Sequence, residues 1–100
     1  MARKGLIERV SLMEARYDEV TRMLAALEEA IDGYEDFRGE LDALRDYMDS
    51  GAWQKDYEAD EAGRIPEGIK HGVLSQDGLY DLLQDADGIL ARAKKVFAGE

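Results

Sequence analysis

The sequence predicts an all-α fold: a long N-terminal helix, a short second helix with an ordered connector, and a C-terminal helix packing back antiparallel to give a helical hairpin, expected to dimerise. Three observations predict it. Apolar residues recur at helical spacing from Leu6 to Met48, with no proline before Pro66. A Gly- and Pro-containing stretch follows, and then a second helical run reaches Phe97. With 100 residues and no change of composition class, the chain is expected to be a single all-helical domain over 1–100.

The first helix is read from Leu6, Val10, Met13, Tyr17, Val20, Leu24, Leu27, Ile31 and Tyr34, spaced in alternating steps of four and three. This is a period of about 3.5 residues, the seam of a helix packed lengthwise on another helix. Phe37, Leu41, Leu44 and Met48 continue it after a second consecutive step of three, which shifts the stripe around the helix. One helix from about residue 4 to 49 is expected. A tight corner at Gly33, splitting it in two, is the alternative.

Asp49-Ser50-Gly51 is expected to close this helix and cap a short one that carries Trp53 and Tyr57 on one side and ends near Asp60. Residues 61–74, with Gly63, Pro66, Gly68 and Gly72, read as an ordered connector, with one helical turn starting at Pro66. Positive φ is expected at Gly63 and Gly72. Ser75 reads as the N-cap of a last helix over about 76–97, with Asp77 in its first turn. Leu79, Leu82, Leu83, Ala86, Ile89, Leu90, Ala93, Val96 and Phe97 are expected on one face of it. Gly78 is a weak residue for a first helical turn.

The lengths do not match. A last helix of roughly 22 residues spans about 33 Å, and a first helix of roughly 46 spans about 69 Å. The seam Leu6, Val10, Met13, Tyr17, Val20, Leu24 and Leu27 is therefore expected to meet a second copy, in an antiparallel or four-helix arrangement. The alternative is a monomer that bends at Gly33 into a three-helix bundle.

The net charge of −10 is localised. Residues 1–27 carry +1, residues 28–61 carry −10, and residues 62–100 carry −1. This acidic belt, which includes Glu28, Glu29, Asp32, Glu35, Asp36, Glu40, Asp42, Asp46 and Asp49, reads first as a solubilising surface. A basic protein partner, or mimicry of a nucleic-acid backbone, is the functional reading. A nucleic-acid ligand is not expected, because phosphate binding needs clustered Lys and Arg. Absent cysteine excludes disulfides and thiolate metal sites, and a lone His71 excludes a multi-histidine centre. Neither a cofactor nor a resident metal is expected. Met1-Ala2-Arg3-Lys4-Gly5 lacks a following apolar core, and no run has the length of a membrane span, so a cytoplasmic protein without a membrane partner is expected.

Asp56, Glu58, Asp60 and Glu67 fall at positions 1, 3, 5 and 12 of a calcium-loop pattern. Glu61 stands where the sharp turn wants Gly, and Pro66 interrupts the end, so calcium is not expected. No phosphate-binding glycine loop, nucleophile elbow or distinguishable carboxylate pair is present, so no catalytic residue is assigned and no enzyme activity is expected.

The run Trp53-x-x-Asp56-Tyr57-Glu58-Ala59-Asp60-Glu61-Ala62-Gly63-Arg64-Ile65-Pro66, followed by Gly72-Val73-Leu74-Ser75-Gln76-Asp77-Gly78-Leu79-Tyr80-Asp81-Leu82-Leu83, resembles a small bacterial family of acidic, all-helical domains of unknown function. The resemblance implies that residues 56–77 form a defined feature and implies no chemistry for it. Two readings stand. In one the feature is a rigid cap, with Asp60 and Glu61 taking backbone N–H groups or pairing with Arg64. In the other, Trp53, Tyr57, Asp60, Glu61 and Arg64 form a partner surface.

Overall fold

The computed structural model describes residues 2–100 and is all-α, with no strand among the described residues. Helix α1 is Ala2–Asp49, α2 is Ala52–Glu61, and α3 is Gly78–Phe97. A single 3₁₀ turn, Gly72–Leu74, lies in the connector. The C-terminal helix packs back on the end of the first, as the hairpin reading requires. Two compact units divide the chain, one ending at Arg38 and the other Gly39–Glu100.

In the first unit α1 runs unbroken through Gly33, so the corner considered there does not form. Asp32-Gly33 lacks a following turn cluster, and Tyr34 and Phe37 resume the helical pattern with their rings edge-on at 5.5 Å. The seam side chains from Leu6 to Leu27 are all exposed; Tyr17 is 70% and Leu24 59% accessible.

The second unit has a small core. Trp53, Leu74 and Leu79 are buried together, and Leu44, Tyr47, Met48, Tyr57, Ile65 and Leu83 pack around them. It therefore draws on every element, from the last turns of α1 to the first turns of α3. Gly51 makes the sharp corner between α1 and α2. Its φ of 86° is a left-handed conformation that L side chains adopt at a cost, and Ser50 Oγ accepts the N–H of Ala52.

Three local expectations are corrected. Pro66 starts no helical turn. Ile69 N–H donates to the Pro66 carbonyl across a tight turn, with Gly68 at φ 92°. A glycine with positive φ before the closing residue is the signature of a reverse turn, and it stops a helix from propagating. Positive φ falls at Gly63 and Gly68, while Gly72 enters the 3₁₀ turn with ordinary φ. Ser75 does not cap α3: Asp77 occupies the N-cap, without a side-chain capping bond, and Asp81 is the acid of the first turn.

The apolar face of α3 is also narrower than expected. Leu79 is buried, and Leu83, Ala86, Leu90 and Ala93 are half-buried. Leu82, Ile89, Val96 and Phe97 stay exposed. Residues at steps of four and three share one narrow stripe, whereas Leu82, Ile89 and Val96 recur every seven residues along its edge. Phe97 falls in the last turn.

Candidate functional site

The candidate site is the helical cap formed by α2 and the connector. Trp53 and Tyr57, one turn apart on α2, stack with ring centroids 5.0 Å apart and planes inclined by 18°. The indole of Trp53 is buried, and its Nε1–H donates to the Val73 carbonyl at 2.8 Å. One side chain thereby fills the core, satisfies its own polar atom and fixes the 3₁₀ turn.

The end of α2 is closed by its own backbone. Gly63 N–H donates to the Asp60 carbonyl at 2.9 Å, and Arg64 N–H reaches back to Ala59 at 3.0 Å. With Gly63 at φ 74°, this is a Schellman closure, which satisfies carbonyls the helix end leaves open. The connector then returns so that His71 Nδ1 lies 2.9 Å from Asp60 Oδ1. In the middle of α2, Asp56 Oδ2 accepts a hydrogen bond from the Tyr47 hydroxyl of α1 at 2.6 Å. Desolvation, followed by this hydrogen bond and the negative charge of Asp56, pushes the Tyr47 phenol up to about 12.

Tyr57, Asp60 and Glu61 line an open cleft of about 400 Å³ with His71, Leu74 and Ser75. Trp53 lies beneath as core, and Arg64 is outside the lining. The expected pairing of Asp60 or Glu61 with Arg64 is replaced by Asp60–His71; among the described residues Arg64 makes no ion pair. The reason is that Arg64 follows the left-handed Gly63, where the chain has already turned out of the helix. His71 and Tyr47 are the participants that the sequence reading missed. Tyr47 carried a signal, lying next to the apolar Met48 and nine residues before an acid on the following helix. His71 carried none, because its approach to Asp60 depends on the path of the connector.

The stretch tested against the calcium-loop pattern is helix through Glu61, so Asp56, Glu58 and Asp60 are spaced by α-helical geometry. Among the described residues no group of three or more His, Cys, Asp or Glu is arranged to hold a metal ion. No described helix is long and apolar enough to cross a membrane.

Gly78 has a specific role at the start of α3. A Cβ placed there would lie 2.3 Å from Ser75 Oγ. The residue that looked weak for a helical turn is the one that lets the Ser75 hydroxyl lie over the helix start.

These features define an all-α domain in which a tryptophan-centred cap locks a short helix and a connector onto the end of a long helix. The chain belongs to the family described as Domain of unknown function (DUF4298), whose model matches residues 10–96. Neither a curated protein nor a solved structure matches it.

Proposed function

We propose that this chain is a helical interaction module that pairs with a second copy of itself through the seam from Leu6 to Leu27, and that it has no catalytic role. The observation that carries this reading is the exposure of every one of those seam residues. Contiguous apolar surface of this kind usually marks an interface. Packing of an apolar stripe supplies most of the stability of helices in proteins, so a seam facing water forgoes its main source of support. The cap acts as a structural lock: Trp53 is buried and bonds to Val73, and the more exposed Tyr47–Asp56 and Asp60–His71 contacts tie α2 to α1 and to the connector. Asp60, His71 and Ser75 are residue types used in nucleophilic catalysis, but among the described residues no hydrogen bond joins Ser75 to His71.

Sedimentation velocity tests the reading. The chain should sediment as a dimer at micromolar concentration, and Val20→Glu with Leu24→Lys should convert it to a monomer of lower helicity. A strict monomer before substitution would refute it.

The acidic belt supports a second reading, that of an inhibitor or nucleic-acid mimic that binds a basic protein partner. Glu28, Glu29, Asp32, Glu35, Asp36, Glu40, Asp42, Asp46 and Asp49 are all exposed, and none forms an ion pair among the described residues. Affinity capture from the source cell at low and moderate salt separates the two readings. A basic partner lost at moderate salt favours the mimic.

A further inference from the structure

The residues flanking the seam carry a choice of direction. With Val10, Tyr17, Leu24 and Ile31 as the a positions of a heptad, Leu6, Met13, Val20 and Leu27 are d. The e positions are then Ile7, Glu14, Thr21 and Glu28, and the g positions are Arg9, Arg16, Met23 and Ala30. Every charge at e is acidic and every charge at g is basic.

Antiparallel helices set g beside g and e beside e, whereas parallel in-register helices set each g beside the following e of the other copy. No antiparallel register of this seam therefore joins opposite charges. The fully overlapped one, with Leu6 on Ile31 of the second copy, places Arg9 by Ala30 and Glu14 by Thr21. The parallel arrangement places Arg9 of each copy against Glu14 of the other, twice by symmetry, and brings no like charges together at these positions. Arg9 and Glu14 are both exposed, and neither forms an ion pair among the described residues of the single chain.

The apolar residues agree in part. β-Branched Val10 and Ile31 at a, with Leu6 and Leu27 at d, are the pattern of parallel two-stranded coils, whereas Tyr17 and Leu24 at a and Met13 and Val20 at d depart from it, so the charges carry the choice of direction. The acidic belt opposes parallel alignment only weakly. Within the seam Glu28 alone flanks the contact, opposite Met23, and charges standing farther out are screened over about 8 Å at physiological salt.

We infer that two copies of this chain pair through residues 6–31 as a parallel, in-register, two-stranded coiled coil, with Arg9 of each copy paired to Glu14 of the other. This rests on the self-association proposed above and replaces the antiparallel or four-helix arrangement expected from helix lengths.

The full chain has no cysteine, so single cysteines report the geometry directly. Leu6→Cys and Ile31→Cys should each form a disulfide with its own copy under mild oxidation, and a mixture of the two should give no mixed disulfide. Arg9→Glu should weaken the dimer about tenfold, and adding Glu14→Arg should restore it, with helicity of the dimer unchanged. A dimer that yields the mixed disulfide and no self-disulfide overturns the parallel direction and leaves self-association standing. A monomer in sedimentation overturns both, and a mass above two copies overturns the two-stranded coil.

Discussion

The indole N–H of Trp53 and the carbonyl of Val73, 20 residues apart in sequence, meet at 2.8 Å and join α2 to the connector. The bond is strong in context because its donor belongs to a core side chain. Breaking it leaves the partly buried Val73 carbonyl without its donor. Trp53→Phe keeps most of the apolar contact and should cost about 1–2 kcal/mol. Trp53→Ala also opens a cavity and should cost about 3–5 kcal/mol, enough to unfold a unit with so small a core. Chemical denaturation followed by circular dichroism measures both.

Tyr47 and Asp56 give the cap an alkaline limit. The phenol is held above its ordinary value of 10.0, at about 12, so the folded state prefers the neutral hydroxyl. The stabilisation is fully present below pH 10 and is lost as pH rises towards 12. Tyr47→Phe should lower the melting temperature at neutral pH by about 5 °C, for a bond worth about 1 kcal/mol. The difference between the two proteins should close as the pH rises above 10. A gap that stays constant would show that the hydroxyl is not the titrating group responsible.

Gly63 holds the Schellman closure of α2 at φ 74°. Gly63→Ala meets no neighbouring atom within 4 Å, so its whole cost is backbone strain, about 1 kcal/mol. Gly63→Asn should recover part of that loss, because Asn tolerates the left-handed region. Equal losses for Ala and Asn would point away from φ as the cause.

Ser75 and Gly78 should behave as a coupled pair. Gly78→Ala forces the exposed Ser75 hydroxyl out of its position, a rotamer cost of up to about 1 kcal/mol that the better helix propensity of Ala largely offsets, so the single change should be nearly neutral. Ser75→Ala removes the obstacle, so the double variant should be more stable than the sum of the single changes. A double-mutant cycle gives the coupling directly.

Asp60 and Glu61 separate the cap from a recognition surface. The Asp60–His71 pair is partly exposed, with the histidine side chain 53% accessible, and should be worth less than about 1 kcal/mol. Asp60→Asn should therefore cause a small loss of melting temperature, and Glu61→Gln, whose side chain makes no described ion pair, almost none. Unchanged stability of the double variant together with lost capture of a partner would favour a recognition surface.

Much of this architecture is legible in residue spacing. The alternation of fours and threes from Leu6 onwards requires a helix, and the absence of proline lets it continue to Asp49. Trp53 and Tyr57 at one-turn spacing imply a shared side of α2, and their rings stack there. The connector is less legible because glycine permits several conformations without selecting one. Gly68 and Gly72 look alike in sequence, yet only Gly68 takes positive φ. Ser75 has the chemistry of an N-cap, but the 3₁₀ turn before it delays the helix until Gly78.

The sequence by itself determined the helices, the position of the seam and the localisation of the charge, because each follows from the order of residues along one chain. Tertiary structure alone decided that His71 meets Asp60, that Tyr47 meets Asp56, and that Leu79 is buried while Leu82 is not. Those outcomes depend on how far the chain turns between elements. The turn is set by a few backbone angles at Gly51, Gly63 and Gly68, where many conformations are locally permitted and packing around Trp53 selects one.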